Sequence, residues 1–361
     1  MGKWEECCFL EGEEQIKEKL RGMENALLIV GKGFDPRAVR MLEILKEHLQ
    51  GQNVWLIDYR NITTRQNVDH ESRSRKNAES VKVMCENISL DEKTVLEYSG
   101  QSGKKVLVIS ESVREVFAKD TLEKYKNILI DVSAMPRSVS FSIIKRVLDI
   151  KGKEQEFFIL ASENSGYDDK ISPRIVEDSA QYLPGFNTFS MSSEADDDDV
   201  IWLPALGMNM EHAFDIIVNY LKAVEICPLV PFPSKNIRRS EDILRNQGEK
   251  LFREYGVEKR NIIYIPEKYP ILVYKKLCDT VHYYKKALEI DELHPVKFVF
   301  SSQSSKLVDI GIFLAAFELA GEGVKVGFVV VENEGYDSQT EYNKDEEELF
   351  CLCLDKNEFE W

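Results

Sequence analysis

The chain contains no uninterrupted apolar run of 18 residues, which excludes a membrane-spanning helix by hydropathy. Its 19 glycines and 11 prolines in 361 residues are too few for a collagen-like or low-complexity chain. The opening Met1-Gly2-Lys3-Trp4-Glu5-Glu6 is acidic and lacks the apolar stretch of a signal peptide, so a cytoplasmic location is expected. The seven cysteines are odd in number and without disulfide spacing, which indicates free thiols in a reducing compartment. Cys7-Cys8 and Cys351-x-Cys353 lack the gaps of a structural zinc site. No metal and no cofactor is expected. A P-loop and a GxSxG elbow are both missing, and the five histidines (His48, His70, His212, His282, His294) fall outside the loops considered below.

What is present is acid. The net charge of −16 is concentrated in residues 1–25, in Glu194 with Asp196–Asp199, and in residues 341–361. Such runs are usually solvated tails and linkers. The remaining chain is close to neutral, which leaves room for a small anionic ligand. No basic helix or stripe stands out, so a nucleic-acid duplex is not an expected partner, and neither is a membrane.

Short β-branched runs alternate with helical spacing. Ala26–Val30, Val54–Ile57, Val106–Ile109, Ile128–Ile130 and Phe157–Leu160 read as strands, with helices over 37–49 and 139–150. Ser89-x-x-Glu92 has the form of a capping box opening a short helix, and His70 to Ala78 reads as an exposed loop. The order recurs in the second half: Val200–Leu203, a helix through Leu221, Cys227–Val230, Ile262–Ile265, a helix over 272–288, Phe298–Phe300, another helix, and Val326–Val331. At an offset of 169, Glu163-Asn164-Ser165-Gly166-Tyr167-Asp168 matches Glu332-Asn333-Glu334-Gly335-Tyr336-Asp337 at five of six positions. The sequence therefore predicts an α/β protein, a tandem duplication of a five-stranded, mainly parallel Rossmann-like unit. Its expected parts are an extension (1–25), unit one (26–183), an acidic linker (184–199), unit two (200–340) and an acidic C-terminal segment (341–361).

In open α/β sheets ligands bind beyond the carboxyl ends of the strands. Four loops reach that edge in unit one. Gly31-Lys32-Gly33-Phe34-Asp35-Pro36-Arg37 offers glycines for close backbone approach and Arg37 for a phosphate or carboxylate. The same residues also make an ordinary turn capped by Asp35. Asp58-Tyr59-Arg60 stands where a Rossmann acid meets a ribose hydroxyl, or forms a surface ion pair. Asp131 to Ser138 brings Ser133 and Arg137 to a helix start, with Ser302 and Lys306 as counterparts in unit two. The repeated ENxGYD places Glu163 and Glu332 at strand ends, with Gly166 and Gly335 expected at positive φ in a turn.

A strand followed by a hydroxyl-rich loop, a cation and an apolar helix, as in Ser133 to Arg137 and Ser302 to Lys306, resembles the nucleotide-contacting loop of CARF domains. Two such units in one chain resemble the SAVED domains of bacterial anti-phage signalling. The resemblance implies sensing of an oligonucleotide messenger. The glycines usual in that loop are absent here.

Three functions remain open at this stage. One is a sensor or regulatory subunit binding a nucleotide-like anion at the strand carboxyl edge between the two units. A second is a carboxylate-dependent hydrolase or glycosyl-transferring enzyme acting on a nucleotide, with Asp35, Asp131 and Glu163 as acid–base groups and Arg37 and Arg137 balancing charge. A third is a non-catalytic interaction subunit with a protein partner.

Overall fold

The computed structural model describes residues 3–4, 7–61, 68–101, 104–187, 199–208, 211–288, 296–338 and 341–354. In chain order the elements are β1 (Cys8–Glu11), α1 (Glu13–Leu20), β2 (Ala26–Gly31), α2 (Arg40–Leu45, preceded by a 3₁₀ turn), β3 (Asn53–Asn61), α3 (Val68–Met84), β4 (Ser89–Gln101) and β5 (Lys104–Leu107). They continue with α4 (Ile109–Val116), α5 (Lys119–Leu122), β6 (Asn127–Asp131), α6 (Arg137–Ile150), β7 (Glu156–Glu163), α7 (Ser165–Asp168) and β8 (Ile171–Asn187). The second half holds β9 (Asp199–Ala205), α8 (Glu211–Leu221), β10 (Glu225–Ile226), β11 (Leu229–Pro231), α9 (Arg239–Gly248) and β12 (Ile263–Ile265). It closes with α10 (Pro270–Leu288), β13 (Val296–Ser302), α11 (Lys306–Gly321), β14 (Val326–Ser338) and β15 (Glu348–Cys353).

Two sheets result, ordered β1-β15-β7-β6-β2-β3-β4-β5 and β12-β11-β9-β13-β14-β8, with β10 also pairing β9. The pairs β7-β6-β2-β3-β4 and β14-β13-β9-β11-β12 are parallel throughout. Numbered by their place in each half, both sheets run 3-2-1-4-5, the Rossmann order. The duplication is thus visible in topology as well as in sequence. Pro228 separates β10 from β11, because it has no N–H to give to the ladder.

The central strands are buried on both faces. Every residue of β2 and β6 is inaccessible, as continuous apolar runs must be when helices cover both sides of a sheet. One face of the N-terminal sheet packs Leu28, Val30, Leu56 and Phe158 against Met41, Leu45 and Val81. On the other face Trp55 meets Phe117 edge-on. In the C-terminal sheet Trp202, Val230 and Val299 pack with Phe214 and Ile243.

The chain forms two compact units, residues 6–164 with 342–361 and residues 165–341 with 1–5. The division falls after Asn164, whereas a linker was expected at 184–199. The start of that linker lies in β8, which pairs antiparallel with β14 in the C-terminal sheet; residues 188–198 lie outside the described residues. In turn β15, from the acidic segment, pairs antiparallel with β7 in the N-terminal sheet. Each half supplies the sixth strand of the other half's sheet.

Three local expectations are corrected. His70 to Ala78 is helix, within α3. Its buried residues are His70, Ala78 and Val81, too sparse a stripe to register as amphipathic. Ser89 to Glu92 opens β4, which follows β3 in parallel from Asn53↔Ser89 to Arg60↔Leu96, so pairing with a buried strand overrides the capping signal. Val106 and Leu107 belong to β5, an antiparallel addition to β4, and Ile109 already starts α4.

Candidate functional site

The loops expected to bind a ligand do gather at the carboxyl edge of the N-terminal sheet, and there they are filled by the protein itself. A Cβ built on Gly31 would meet Met135 Cγ at 2.7 Å, and one on Gly33 would meet the carbonyl oxygen of Ala134 and the hydroxyl of Tyr59 at 3.0 Å. The glycines thus admit the β6–α6 loop, where close backbone approach to a ligand was expected. Helix α3 seals the turn from above. Asn77 Nδ2 donates to the carbonyls of Gly33 (2.9 Å) and Asp35 (3.0 Å), and Ser74 Oγ to that of Lys32 (3.0 Å). His70 stacks on Phe34 with ring centroids 3.9 Å apart.

The C-terminal unit repeats this plug. A Cβ on Gly207 would stand 1.9 Å from the carbonyl oxygen of Gln303, in the loop after β13. Gln247 of α9 donates to the Gly207 carbonyl at 2.6 Å. In both units the crevice beside the first strand, where the strand order reverses, is occupied by the loop after the fourth strand.

The expected acid–base groups are committed to internal partners. Arg37 Nε and Nη2 donate to the two oxygens of Asp35 at 2.9 and 2.7 Å, with both side chains buried. The Arg37 amide also donates to Asp35 at 2.8 Å, so the capping role and the cation's partner are one residue. Asp131 Oδ1 accepts from the amide (2.9 Å) and hydroxyl (2.5 Å) of Ser133. Burial pushes the Asp131 carboxyl up to about 7, Ser133 opposes that, and the neighbouring Glu347 and Asp35 add to it. The Ser133 oxygen in turn accepts the Ser162 amide at 2.8 Å.

Glu347, whose acidic surroundings in the sequence read as a solvated tail, completes this network. Its carboxylate accepts from Ser162 Oγ (2.6 Å), Tyr342 OH (2.5 Å) and Arg40 Nε (2.5 Å). The apolar run Leu349–Leu354 just after it, which by sequence reads as a docking segment or a last strand, supplies the last strand, β15. Glu163 is buried at the end of β7. Beside it Asn164 Nδ2 donates to the Asn343 carbonyl at 2.9 Å.

Asp58 behaves differently. Its Oδ2 is shared by Lys32 Nζ (3.2 Å) and by Arg60 Nη2 (3.0 Å) and Nε (3.2 Å). Two cations on one carboxylate leave a positive charge at the sheet edge, on an Arg60 side chain that is 58% exposed. Arg137 opens the 14-residue α6, and the next residue, Ser138, donates its hydroxyl to Glu97. In the C-terminal unit Ser302 donates to Asp309 and accepts the Ser304 amide at 3.2 Å, Lys306 opens α11, and Ser305 caps it. Glu332 lies in β14; its side chain is outside the described residues.

The repeated ENxGYD takes two structures. Gly166 sits in helix α7 and Gly335 in strand β14, so neither forms the expected turn. Strand β14 continues because β8 lies beside it through Ser338↔Ile171. Strand β7 stops because its partner β15 begins at Glu348, opposite Glu163. Among the described residues no cluster of His, Cys, Asp and Glu could hold a metal ion, and no helix is long and apolar enough to cross a membrane.

No family model and no curated protein matches the chain. Among solved structures, it is similar to the cytoplasmic domain of a prokaryotic cation chloride cotransporter at 12% identity, covering 87% of this chain and 97% of that one with a TM-score of 0.23. It is also similar to PKMT2 from Rickettsia typhi in complex with AdoHcy at 12% identity, covering 94% of this chain and 52% of that one with a TM-score of 0.25.

Proposed function

We propose that this chain is a non-catalytic regulatory protein that binds a small anionic, nucleotide-like ligand at the carboxyl edge of its N-terminal sheet. The observation that carries the reading is the Asp58 carboxylate shared by Lys32 and Arg60. An anion docking there would neutralise the second cation, and phosphate suits the planar donor fork of arginine. Arg137, at the start of the neighbouring helix, is a second point of contact in this reading. Catalysis is the weaker alternative because Asp35 gives both carboxylate oxygens to Arg37 and Asp131 accepts from Ser133. The crevice filled by Met135 and Tyr59 directs the ligand outward, to the exposed rim.

The test is thermal stabilisation of the purified chain across mono-, di- and cyclic oligonucleotides, dinucleotides and sugar phosphates. A true ligand should add about 3–4 kcal/mol when held at 100 to 1,000 times its dissociation constant. Arg60→Ala and Arg137→Ala should each reduce that gain, and the recovered ligand should be chemically unchanged. A flat response across the panel would sink the proposal. Conversion of the ligand would move the chain to the enzyme class.

A further inference from the structure

The C-terminal unit carries a second surface of different chemistry. It is built from the loops that leave the carboxyl ends of β11 and β12, residues 232–238 and 266–269. These are stitched together: the Phe232 amide donates to the Ile265 carbonyl (2.6 Å) and the Glu267 amide to the Pro233 carbonyl (3.0 Å). Within the first loop, Arg238 N donates to Asn236 Oδ1 at 3.0 Å.

The two loops contain one acidic residue, Glu267, and it is turned inward. It is buried and ion-paired at 2.8 Å with the buried Arg239, which also holds Asp169. Burial raises the Glu267 carboxyl, and Arg239 pulls it back down. The other charged side chains of the two loops are cations, Lys235 and Arg238 exposed and Lys268 half-buried, while Asp169 and Asp168 act on Glu267 from outside the loops. Over residues 232–276 there are eleven Lys and Arg against six Asp and Glu, a local excess of positive charge in a chain whose total is −16.

Aromatic rings stand among these cations. Phe232 and Tyr264 are each 49% exposed and Tyr269 is 42% exposed, with Ile237 in the same loops at 81%. Phe232 and Tyr264 meet at 5.9 Å with ring planes 73° apart. In that edge-to-face arrangement one ring edge covers part of the other's face, and about half of each residue stays exposed to a third partner. Half-exposed rings interleaved with cations, on backbone held rigid by internal bonds, match the requirements of a stacking platform for unpaired bases, with phosphates met by the flanking cations.

We infer that this surface binds single-stranded nucleic acid, with bases stacked on Phe232, Tyr264 and Tyr269 and the backbone following Lys235, Arg238 and Lys268. It lies wholly in the C-terminal unit and does not depend on the Asp58 cluster. A duplex is excluded from the platform because its bases are already stacked on one another.

Fluorescence anisotropy of the full chain with fluorescein-labelled 12-mers of dT and of U, at low and physiological salt, tests the inference. Micromolar binding that weakens with salt is expected. Tyr264→Ala or Phe232→Ala should weaken it on the order of ten-fold. Arg238→Glu should weaken it and flatten the slope of log affinity against log salt by about 0.7 for each phosphate that is no longer neutralised. All three side chains are exposed, and unchanged melting temperatures would show that the variants fold. Comparing dT with U distinguishes DNA from RNA. No binding at low salt, or binding indifferent to these three substitutions, would overturn the inference. So would stronger capture of poly-glutamate or phosphatidylserine vesicles than of the oligonucleotides, which would assign the surface to an acidic protein or a membrane.

Discussion

The side-chain amide of Gln247 donates to the backbone carbonyl of Gly207 across 2.6 Å, and Asn77 does the same for Gly33 at 2.9 Å. Each donor lies on the helix between the second and third parallel strands of its unit. Each acceptor lies in the turn after the first strand. A residue that departs in both length and identity yet makes the same bond indicates that the seal over the first-strand turn is a property of the duplicated unit. The seal explains why glycine stands at these turns although the chain has no phosphate motif: the approaching backbone belongs to the loop after the fourth strand.

The two seals differ in what they can absorb. Gly207→Ala sets a Cβ against the backbone oxygen of Gln303 at 1.9 Å, whereas Gly31→Ala meets the flexible Met135 side chain at 2.7 Å. Gly207→Ala should therefore cost about 3 kcal/mol or more, and Gly31→Ala about 1–2 kcal/mol. Urea denaturation of both variants measures this, and Met135→Ala should partly rescue Gly31→Ala. Equal costs would contradict a backbone plug at Gly207.

Asp131 gives the N-terminal unit a specific pH dependence. Its carboxyl is held up to about 7 by burial, against an ordinary value near 3.9. The folded chain therefore keeps a proton that the unfolded chain releases. This favours folding fully below about pH 4, and the contribution is lost as the pH rises through about 7, on the order of a few kcal/mol in all. Asp131→Asn keeps an oxygen for both Ser133 bonds and removes the titration. Its stability relative to the parent chain should rise between about pH 5 and pH 8, when both are measured by chemical denaturation. A constant difference across that range would show that Asp131 is ionised throughout.

The sequence disclosed what depends on long apolar runs. Strands β2, β6, β7, β9 and β13 are buried on both faces along most of their length, and an unbroken aliphatic run has few other uses in a chain of this composition. The duplication was legible because Glu163–Asp168 and Glu332–Asp337 share five of six residues, although the two copies fold differently. What stayed hidden depends on distant pairing. Whether Gly335 continues a strand is decided by β8, more than 150 residues earlier, through Tyr336↔Pro173. The site residues were found in the right loops, but their partners were not. Glu347 lies over 180 residues from Ser162, and local composition marked it as tail. The outward cations of residues 232–238 were masked by an overall charge of −16, since net charge does not record which acids are buried.

Exposure of the thiols should follow the same placement. Cys7 and Cys8 are partly accessible, while Cys85, Cys227, Cys278, Cys351 and Cys353 are buried. Burial also raises the thiols of Cys85 and Cys227 to about 11, which suppresses the reactive thiolate. Titration with a chromogenic disulfide at about pH 8 should find at most two fast thiols in the folded chain and all seven in denaturant. Rapid reaction of four, with Cys351 and Cys353 joining Cys7 and Cys8, would mean that the sheet edge formed by β1 and β15 is open.

That edge rests on Glu347, which makes the sharpest test of the exchanged strand. Its side chain is 1% exposed and accepts from Ser162, Tyr342 and Arg40. Arg40 in turn contacts Glu13 at 3.4 Å and Glu43 at 3.6 Å, so the carboxylate ties the start of β15 to α1 and α2. Glu347→Ala leaves a buried hydroxyl and part of a guanidinium without their acceptor, and should cost about 3 kcal/mol. Glu347→Gln keeps one acceptor oxygen and should cost less. Hydrogen exchange locates the damage: amides of β7 opposite β15, from Phe158 to Ser162, should lose protection in Glu347→Ala, while those of β13 and β14 stay unchanged. If β7 kept its protection, β15 would be held by its apolar face alone and the Glu347 network would be incidental to the exchange.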